Sequence, residues 1–482
     1  MKSRIYVLQI IGLLCIAHSL TLLPPMLVSL WFQDGEIDDF LITFLLLITA
    51  GYFLWAPFRF KPMELRRSDG FLIVASFWMI LSLVSALPFL IGGHLNFVDA
   101  LFEATSGFTT TGATVIRNLD VLPPSILYYR QQLQFFGGMG LVVLAIAVLP
   151  ILGVGGTQLY RAETPGPMKD EKLAPRLAHS ARSLCLIYIN LNFLCAVCYW
   201  MAGLDAFDAL QHAFATISTG GFSTHNESFA YFNSTTVDMI AVVFMLLGAL
   251  NFGIHYLALM TNKPTLYFTD TESRTFLKIV FSFAIFYTFA LYFTGEEKSL
   301  LLSFDHALFE VTSVITSTGF GVVDFSLWAS LLPVLLIFIS FIGGCGGSTA
   351  GGIKVIRIIT LVKQGAVQLF LLMHPKACMP VKIGDRVLDN KTIQAIWGFF
   401  AVYIIVFVLL TLLMMMSGLD QVSAFASIAA TMNNLGPGLG KVSTTFASVS
   451  DAGKIISVFA MLLGRLEIFP LLVILTPVFW KN

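Results

Sequence analysis

The sequence predicts an all-α polytopic membrane protein in which ten transmembrane helices carry four re-entrant half-helix pore loops in a pseudo-fourfold arrangement. Three observations predict it: a composition too apolar for water, ten runs long enough to cross a hydrocarbon core, and one motif that recurs four times between those runs.

Of the 482 residues, 57% are hydrophobic and only 12% charged, with a mean hydropathy of +0.84. A soluble chain carries about 25% charged residues. The apolar runs recur along the whole length, so no soluble domain of useful size is left over. The 28 basic and 28 acidic residues cancel, and no basic stripe of the kind a nucleic-acid partner needs is present. Cys15, Cys185, Cys195, Cys198, Cys345 and Cys378 fall in apolar runs or in loops assigned below to the cytoplasm. They read as small packing residues, not as a disulfide framework. The eight histidines form no HExxH, no Cys/His group has zinc spacing and no GxSxG occurs, which argues against a membrane enzyme. No motif for an organic cofactor is found.

The spans fall near 5–32, 40–57, 71–92, 128–153, 183–203, 237–260, 275–294, 330–360, 395–417 and 455–479, each at least as long as the roughly 17 residues a crossing needs. The first is longer than a secretory signal core and reads as a retained helix kinked at Pro24 and Pro25. Cytoplasmic loops collect Lys and Arg. The N-terminus, 58–70, 155–182, 261–278, 354–394 and the C-terminus hold 22 of the 28 basic residues, including Arg59, Lys61, Arg66 and Arg67. Those loops are assigned to the cytoplasm, with both termini. The alternate loops hold 17 of the 28 acids, beginning with Asp34, Glu36, Asp38 and Asp39, and face outward.

Four outward loops are too apolar to be solvated connections and resemble one another: ALFEATSGFTTTGAT (100–114), ALQHAFATISTGGFS (209–223), ALFEVTSVITSTGFG (307–321) and AFASIAATMNNLGPG (424–438). Each offers a glycine after a Thr/Ser-rich or Asn-containing turn, taken as Gly112, Gly220, Gly319 and Gly436, with spacings of 108, 99 and 117 residues. The repeat divides the chain into two peripheral helices (1–57) and four pore repeats at 58–154, 155–262, 263–362 and 363–482. A half-length helix inside a bilayer is tolerated only where its end lines a shared cavity, and four such helices around an axis enclose one.

Rings of backbone carbonyls can replace the water shell of a monovalent cation. Aiming successive carbonyls at one axis needs backbone angles that residues other than glycine adopt poorly. The candidate potassium ligands are therefore the carbonyls of Thr111 and Gly112, Thr219 and Gly220, Thr318 and Gly319, and Leu435 and Gly436, with Thr110, Ser218, Ser317 and Asn434 as additions. Glu103 and Glu310 sit in apolar half-helices as pore-mouth acids, supplying either negative potential or acceptors for the loop backbone.

Two further features lie below this level. GGCGGSTAGG at 343–352 interrupts the eighth span; Gly343, Gly344, Gly346, Gly347, Gly351 and Gly352 make a continuous helix improbable. With Ser348 and Thr349 it forms either a flexible gate beneath the filter or a packing kink. It fits neither GxGxxG nor GxxxxGK[ST]. Arg465 lies within the tenth span, where an arginine costs about 2.5 to 3.5 kcal/mol on insertion scales and normally faces a bundle interior or water. It reads as a charge below the filter that slows cations or holds the gate, or as a structural donor to carbonyls or to an acid; pairing with Glu467 is disfavoured because i and i+2 do not share a helix face.

With its four filter loops, its glycine-broken eighth span and its arginine in the tenth, the chain resembles the Trk/Ktr/HKT superfamily of potassium transporters over essentially its whole length. The two N-terminal spans outside the repeat fit the Trk members. The resemblance implies that Gly112 in the first repeat selects potassium where serine would admit sodium, and that potassium enters through a gated, channel-like pore in a bacterial inner membrane. It also implies a homodimer and a cytoplasmic ring of nucleotide-binding subunits of the TrkA type. The basic loops 161–182 and 376–391 are docking surfaces for such a ring or simply solvated positive-inside loops. Asn434-Leu435-Gly436-Pro437 departs from the Thr-x-Gly form. A symporter coupling potassium or sodium to protons or sodium is the alternative, although such carriers often use inverted repeats and these four run parallel.

Overall fold

The computed structural model describes residues 2–58, 67–140, 177–329, 331–384 and 386–481. Among the described residues the fold is helical apart from one two-residue hairpin, β1 (Lys382–Ile383) against β2 (Arg386–Val387). Among the described residues seven helices are long and apolar enough to cross a membrane, or nine segments if each of two sharply bent pairs counts as one. The chain is a multi-pass membrane protein.

The first span divides into α1 (Lys2–Leu20) and α2 (Leu23–Phe32), and the break at Thr21 and Leu22 immediately precedes Pro24 and Pro25 in the first turn of α2. Helix α3 (Ile37–Trp55) returns against α1. Their axes meet at Gly12 and Gly51, where a methyl on either would lie within 2.7 Å of the other's carbonyl oxygen. Small residues let helix backbones approach this closely in lipid. The pair is fastened to the rest around the ends of α2. Asp34 Oδ2 accepts the backbone N–H of Ser125 at 2.9 Å, in the first turn of the helix Pro124–Gly138, whose Gln132 donates to the carbonyl of Thr21 at 2.5 Å.

Four half-helices follow at the positions the repeat predicts: α4 (Phe97–Phe108), α5 (Ala206–Ile217), α6 (Leu300–Ile315) and α7 (Gln421–Met432). At 1.5 Å per residue none reaches the ~30 Å of a hydrocarbon core. Each starts on a polar cap in extended conformation. Asn96, Asp205, Ser299 and Asp420 accept the backbone N–H three residues on, at 2.7 to 3.1 Å. Capping satisfies donors that would otherwise be orphaned and fixes where each half-helix begins.

Among the spans after the half-helices, the sixth and tenth are bent where continuous helices are expected, and the eighth is broken as its glycines predict. The fourth expected span starts as α8 (Pro124–Gly138) and runs beyond Gly140, outside the described residues, as do Arg59, Lys61, Arg66 and the basic loop 161–182 as far as residue 176. The sixth is broken: α9 (Thr235–Ala249) and α10 (Phe252–Thr261) meet at 96°. Asn251 causes the break, its side chain taking the N–H of Gly253 at 2.7 Å and so starting a new helix. The eighth is a ten-residue helix, α11 (Leu331–Ser340), then an irregular segment, then α12 (Val355–Met373). The tenth bends by 117° between α13 (Asp451–Arg465) and α14 (Phe469–Leu475). There Glu467 and Ile468 take positive φ of 51° and 64° and end α13, and Pro470 sits in the first turn of α14, where its missing N–H costs nothing. The fifth, seventh and ninth spans are unbroken as expected: α15 (Leu177–Met201), α16 (Thr271–Thr294) and α17 (Asn390–Met416).

Candidate functional site: a ring of four loops and the segment beneath it

Each half-helix ends in a turn of one shape. Thr110, Thr219, Ser317 and Asn434 have φ between 51° and 55°, and two residues later Gly112, Gly221, Gly319 and Gly436 have φ between 78° and 98°. The residue between donates its N–H to a carbonyl of the half-helix, as Thr111 to Ser106, Gly220 to Ala215, Thr318 to Ser313 and Leu435 to Ala430, at 2.7 to 2.8 Å. The four turns are superimposable in pattern.

They also meet. A methyl placed on Gly112 would overlap the carbonyl oxygen of Gly220; on Gly221, that of Thr318; on Gly319, that of Leu435; and on Gly436 it would lie 2.7 Å from that of Thr111. The contacts run 1 to 2, 2 to 3, 3 to 4 and 4 to 1. Four loops related in this way encircle one axis, with one carbonyl from each at the same level.

The ring corrects the sequence register in the second loop. The glycine equivalent to Gly112 is Gly221, twelve residues after Ala209 as Gly112 is twelve after Ala100. Gly220 takes the position of Thr111, and Thr219 that of Thr110. Ser-Thr-Gly-Gly offers two glycines in succession, and the spacing from Ala209 and the backbone angles both select the second. The other three loops keep the expected register. Pro437 follows Gly436, and its Cδ would lie 2.7 Å from a methyl on Gly319, so the divergent fourth loop joins the ring with the same geometry.

Behind the ring, polar side chains hold the strands that leave it. Glu103 Oε2 accepts the N–H of Val115 at 2.9 Å, and both carboxylate oxygens accept from Thr114 Oγ1 at 3.0 Å. Its Oε1 lies 2.8 Å from Nε and Nη2 of Arg130, and both side chains are fully buried. Arg130 reaches on to the carbonyl of Ser223 at 3.2 Å, linking the first loop to the second. Glu310 accepts from Val322 and Val323 at 2.9 and 3.3 Å, while its Oε2 is buried with no partner. In the second repeat His212 Nε2 meets Ser223 Oγ at 2.9 Å. Gln134 grips the second loop from both sides, donating to the carbonyl of Gly220 at 2.6 Å and accepting from Phe222 at 3.1 Å. Arg130 and Gln134 stand out in Arg-Gln-Gln-Leu-Gln, a polar cluster in an otherwise apolar span, which was the signal available in the sequence.

Beneath the ring lies the glycine-rich segment. Thr349 Oγ1 donates to the carbonyls of Ile217 and Gly248 at 3.0 and 2.9 Å, and the N–H of Gly351 to Ser317 Oγ at 2.5 Å. A methyl on Gly351 would overlap the carbonyl of Asn433. Arg465 joins the same residues to the first loop: Nη1 donates to the carbonyl of Thr349 at 3.0 Å and to Thr110 Oγ1 at 3.1 Å, and Nη2 to the carbonyl of Gly137 at 2.5 Å. Residues 349–351 thus touch the second, third and fourth loops directly and the first through Arg465. The limbs of the segment pinch together at Gly343 and Gly352, where no side chain would fit. Glu467 pairs with Arg357.

On the strand leaving the second loop, His225 lies between Asp120 and Asp208, with Nδ1 3.1 Å from one carboxylate and Nε2 3.0 Å from the other. Its ring stacks on Tyr231 at 3.5 Å. Burial pulls this imidazole down, but the two carboxylates outweigh it and hold its pKa above the ordinary value.

Comparison with known proteins places these features in context. Residues 36–480 match the TrkH family model, described as a cation transport protein. Over 476 residues the chain is 48% identical to the Trk system potassium uptake protein TrkH of Escherichia coli strain K12, covering 98% of this chain and 99% of that protein. It is equally identical, 48% over 480 residues and 99% of both chains, to the Trk system potassium uptake protein TrkH of Vibrio parahaemolyticus. The crystal structure of the potassium transporter TrkH from Vibrio parahaemolyticus matches with a TM-score of 0.91 and 45% identity over 100% of each chain.

Proposed function

This chain belongs to the TrkH family of cation transport proteins, and on that premise we propose that it takes up potassium across the cell membrane through a selective, gated, channel-like pore. The observation that carries the reading is the closed ring of contacts from Gly112, Gly221, Gly319 and Gly436 to the carbonyls of Gly220, Thr318, Leu435 and Thr111. Four carbonyls at one level, with further carbonyls above and below, supply the modest-field oxygen cage a dehydrated potassium ion needs. Half-helix C-termini carry partial negative charge, and four of them converge on the same cage. The ligand set is then Thr111 with Gly112, Gly220 with Gly221, Thr318 with Gly319, and Leu435 with Gly436. Thr110, Thr219, Ser317 and Asn434 lie on the inner side.

The segment 343–352 acts as the gate, and Arg465 holds it there while adding positive charge below the filter. The contacts of Thr349 and Gly351 with residues just inside the ring support this role. Glu103 and Glu310 buttress the loop backbone at the pore mouth. The chain works as a homodimer in a bacterial inner membrane, with both termini cytoplasmic. A TrkA-type nucleotide-binding ring on the cytoplasmic side controls the gate, and the protein performs no chemical reaction of its own.

Reconstitution into liposomes tests the reading. In potassium/sodium mixtures the reversal potential should follow the potassium gradient, with flux that has no fixed proton or sodium stoichiometry. A potential that follows sodium removes the filter assignment, and a fixed coupling ratio replaces the channel by a symporter.

A further inference from the structure

Glu272 is the second residue of α16, and Asp270 caps that helix by accepting the N–H of Ser273 at 2.9 Å. An acid in a first turn ordinarily stabilises its own helix dipole while facing water. Glu272 does something else. Its Oε1 accepts the N–H of Gly346 at 2.7 Å and the N–H of Ile356 at 3.2 Å. Gly346 lies on the entering limb of the glycine-rich segment, and Ile356 is in the first turn of α12, just past its exit. One carboxylate oxygen therefore ties together both limbs of a segment in which six of ten residues are glycine. Such a segment has few side chains with which to fix itself.

The other ties around Gly346 run backbone to backbone, to the break in the sixth span: Cys345 N–H to Ala249, and Phe252 N–H to Gly347, at 2.9 and 3.0 Å. That break continues through α10 and the connector 262–271, with its short helix Leu266–Thr269, to Glu272 itself. The connector thus begins and ends on elements that grip the same segment.

We propose that Glu272 is a positioning residue for the gate: its carboxylate latches the segment 343–352 under the filter and transmits displacement of the connector 262–271 to it. The inference rests on the gate reading above. A partner pressing on the connector would move the start of α16, withdraw the carboxylate from two N–H donors at once and release the entering limb.

The test uses the full chain in liposomes, with Glu272→Ala and the isosteric Glu272→Gln, and Arg465→Ala as the control for the gate. Cys345, buried and free beside Gly346, reports release of the limb by its reactivity toward a small charged methanethiosulfonate, in a background where the other five cysteines are replaced. Loss of one charged double acceptor should raise potassium flux about three- to tenfold, with Glu272→Gln between wild type and Glu272→Ala. Cys345 reactivity should rise in the same order, and the potassium/sodium reversal potential should stay unchanged. Wild-type flux and a protected Cys345 in folded Glu272→Ala, while Arg465→Ala conducts faster, overturn the latch and leave the gate standing. If neither raises flux, both fall. If Glu272→Ala does not fold, Glu272→Gln decides by the same two readouts. A changed reversal potential shows that Glu272 supports the filter and not the gate, and also overturns the proposal.

Discussion

The α-carbon of Gly221 lies so close to the carbonyl oxygen of Thr318 that a single added methyl would overlap it. The adjacent Gly220 faces something softer: a methyl there would meet the side-chain amide of Gln134, with its nearest atom, Cδ, at 2.5 Å. The two glycines should therefore differ in cost. Gly221→Ala combines a left-handed backbone, worth about 1–2 kcal/mol against an L-residue, with a clash against backbone that cannot give. It should abolish selective flux or assembly. Gly220→Ala should retain selectivity, and shortening Gln134 to alanine in the same chain should recover part of any loss. Reversal potentials of the three variants check this; greater damage from Gly220→Ala than from Gly221→Ala would return the second loop to the register read from Ser-Thr-Gly.

Gly112 has φ of +80° and faces the carbonyl of Gly220. Gly112→Ser should push that carbonyl outward and widen the ring on the side of the first and second loops. A strain of about 1–2 kcal/mol taken up by the ring corresponds to a fall of roughly tenfold in the potassium/sodium permeability ratio. An unchanged ratio in bi-ionic measurements would count against a carbonyl filter at this level.

Much of this arrangement is legible in the sequence, for a local reason. Polar cap, half-helix and glycine turn are encoded within 17 contiguous residues in three repeats and 21 in the other, so four copies declare themselves without knowledge of their neighbours. The break in the eighth span is visible likewise, because six glycines in ten residues cannot hold a helix in any context. What the sequence conceals is pairing across distance. Nothing near Glu103 points to Arg130, and nothing near Gly346 points to Glu272, 74 residues away. The break in the sixth span was hidden because its cause is one asparagine in an unbroken apolar run. The match to Ser-Thr-Gly alone favours Gly220, whereas the twelve-residue spacing from Ala209 and the positive φ both select Gly221.

Arg130 and Glu103 are fully buried and meet at 2.8 Å. Removing one partner of such a pair leaves an uncompensated charge and typically costs 3–5 kcal/mol, whereas replacing both by apolar groups is often neutral. Arg130→Met should therefore lower the thermal midpoint sharply and reduce the yield of folded protein. Arg130→Met combined with Glu103→Leu should recover part of the stability but not all, because Val115 and Thr114 would still lack their acceptor. Thermal unfolding in detergent measures both, and a double variant no more stable than Arg130→Met alone would deny that the pair is what matters.

His225 faces Asp120 and Asp208 with its two ring nitrogens and Tyr231 with its ring, and the His212 ring lies parallel 6.5 Å away. A nitrogen pointing at a carboxylate must carry a proton, so both contacts are satisfied only by the imidazolium. Its folded pKa is held above the ordinary value, which sets the sign. The staple contributes fully below about pH 6.5, the unfolded value, and is lost as pH rises through the folded one. Being partly solvated, each contact is worth about 0.2–1 kcal/mol. The thermal midpoint should fall modestly between about pH 6 and 8, and His225→Gln should be less stable at the acid end and flatter throughout. Because the staple joins the segments that leave the first and second loops, the same pH change on the outer face alone should alter flux in wild type and leave His225→Gln unaffected. A variant whose pH profile keeps the wild-type slope would mean that another group titrates there.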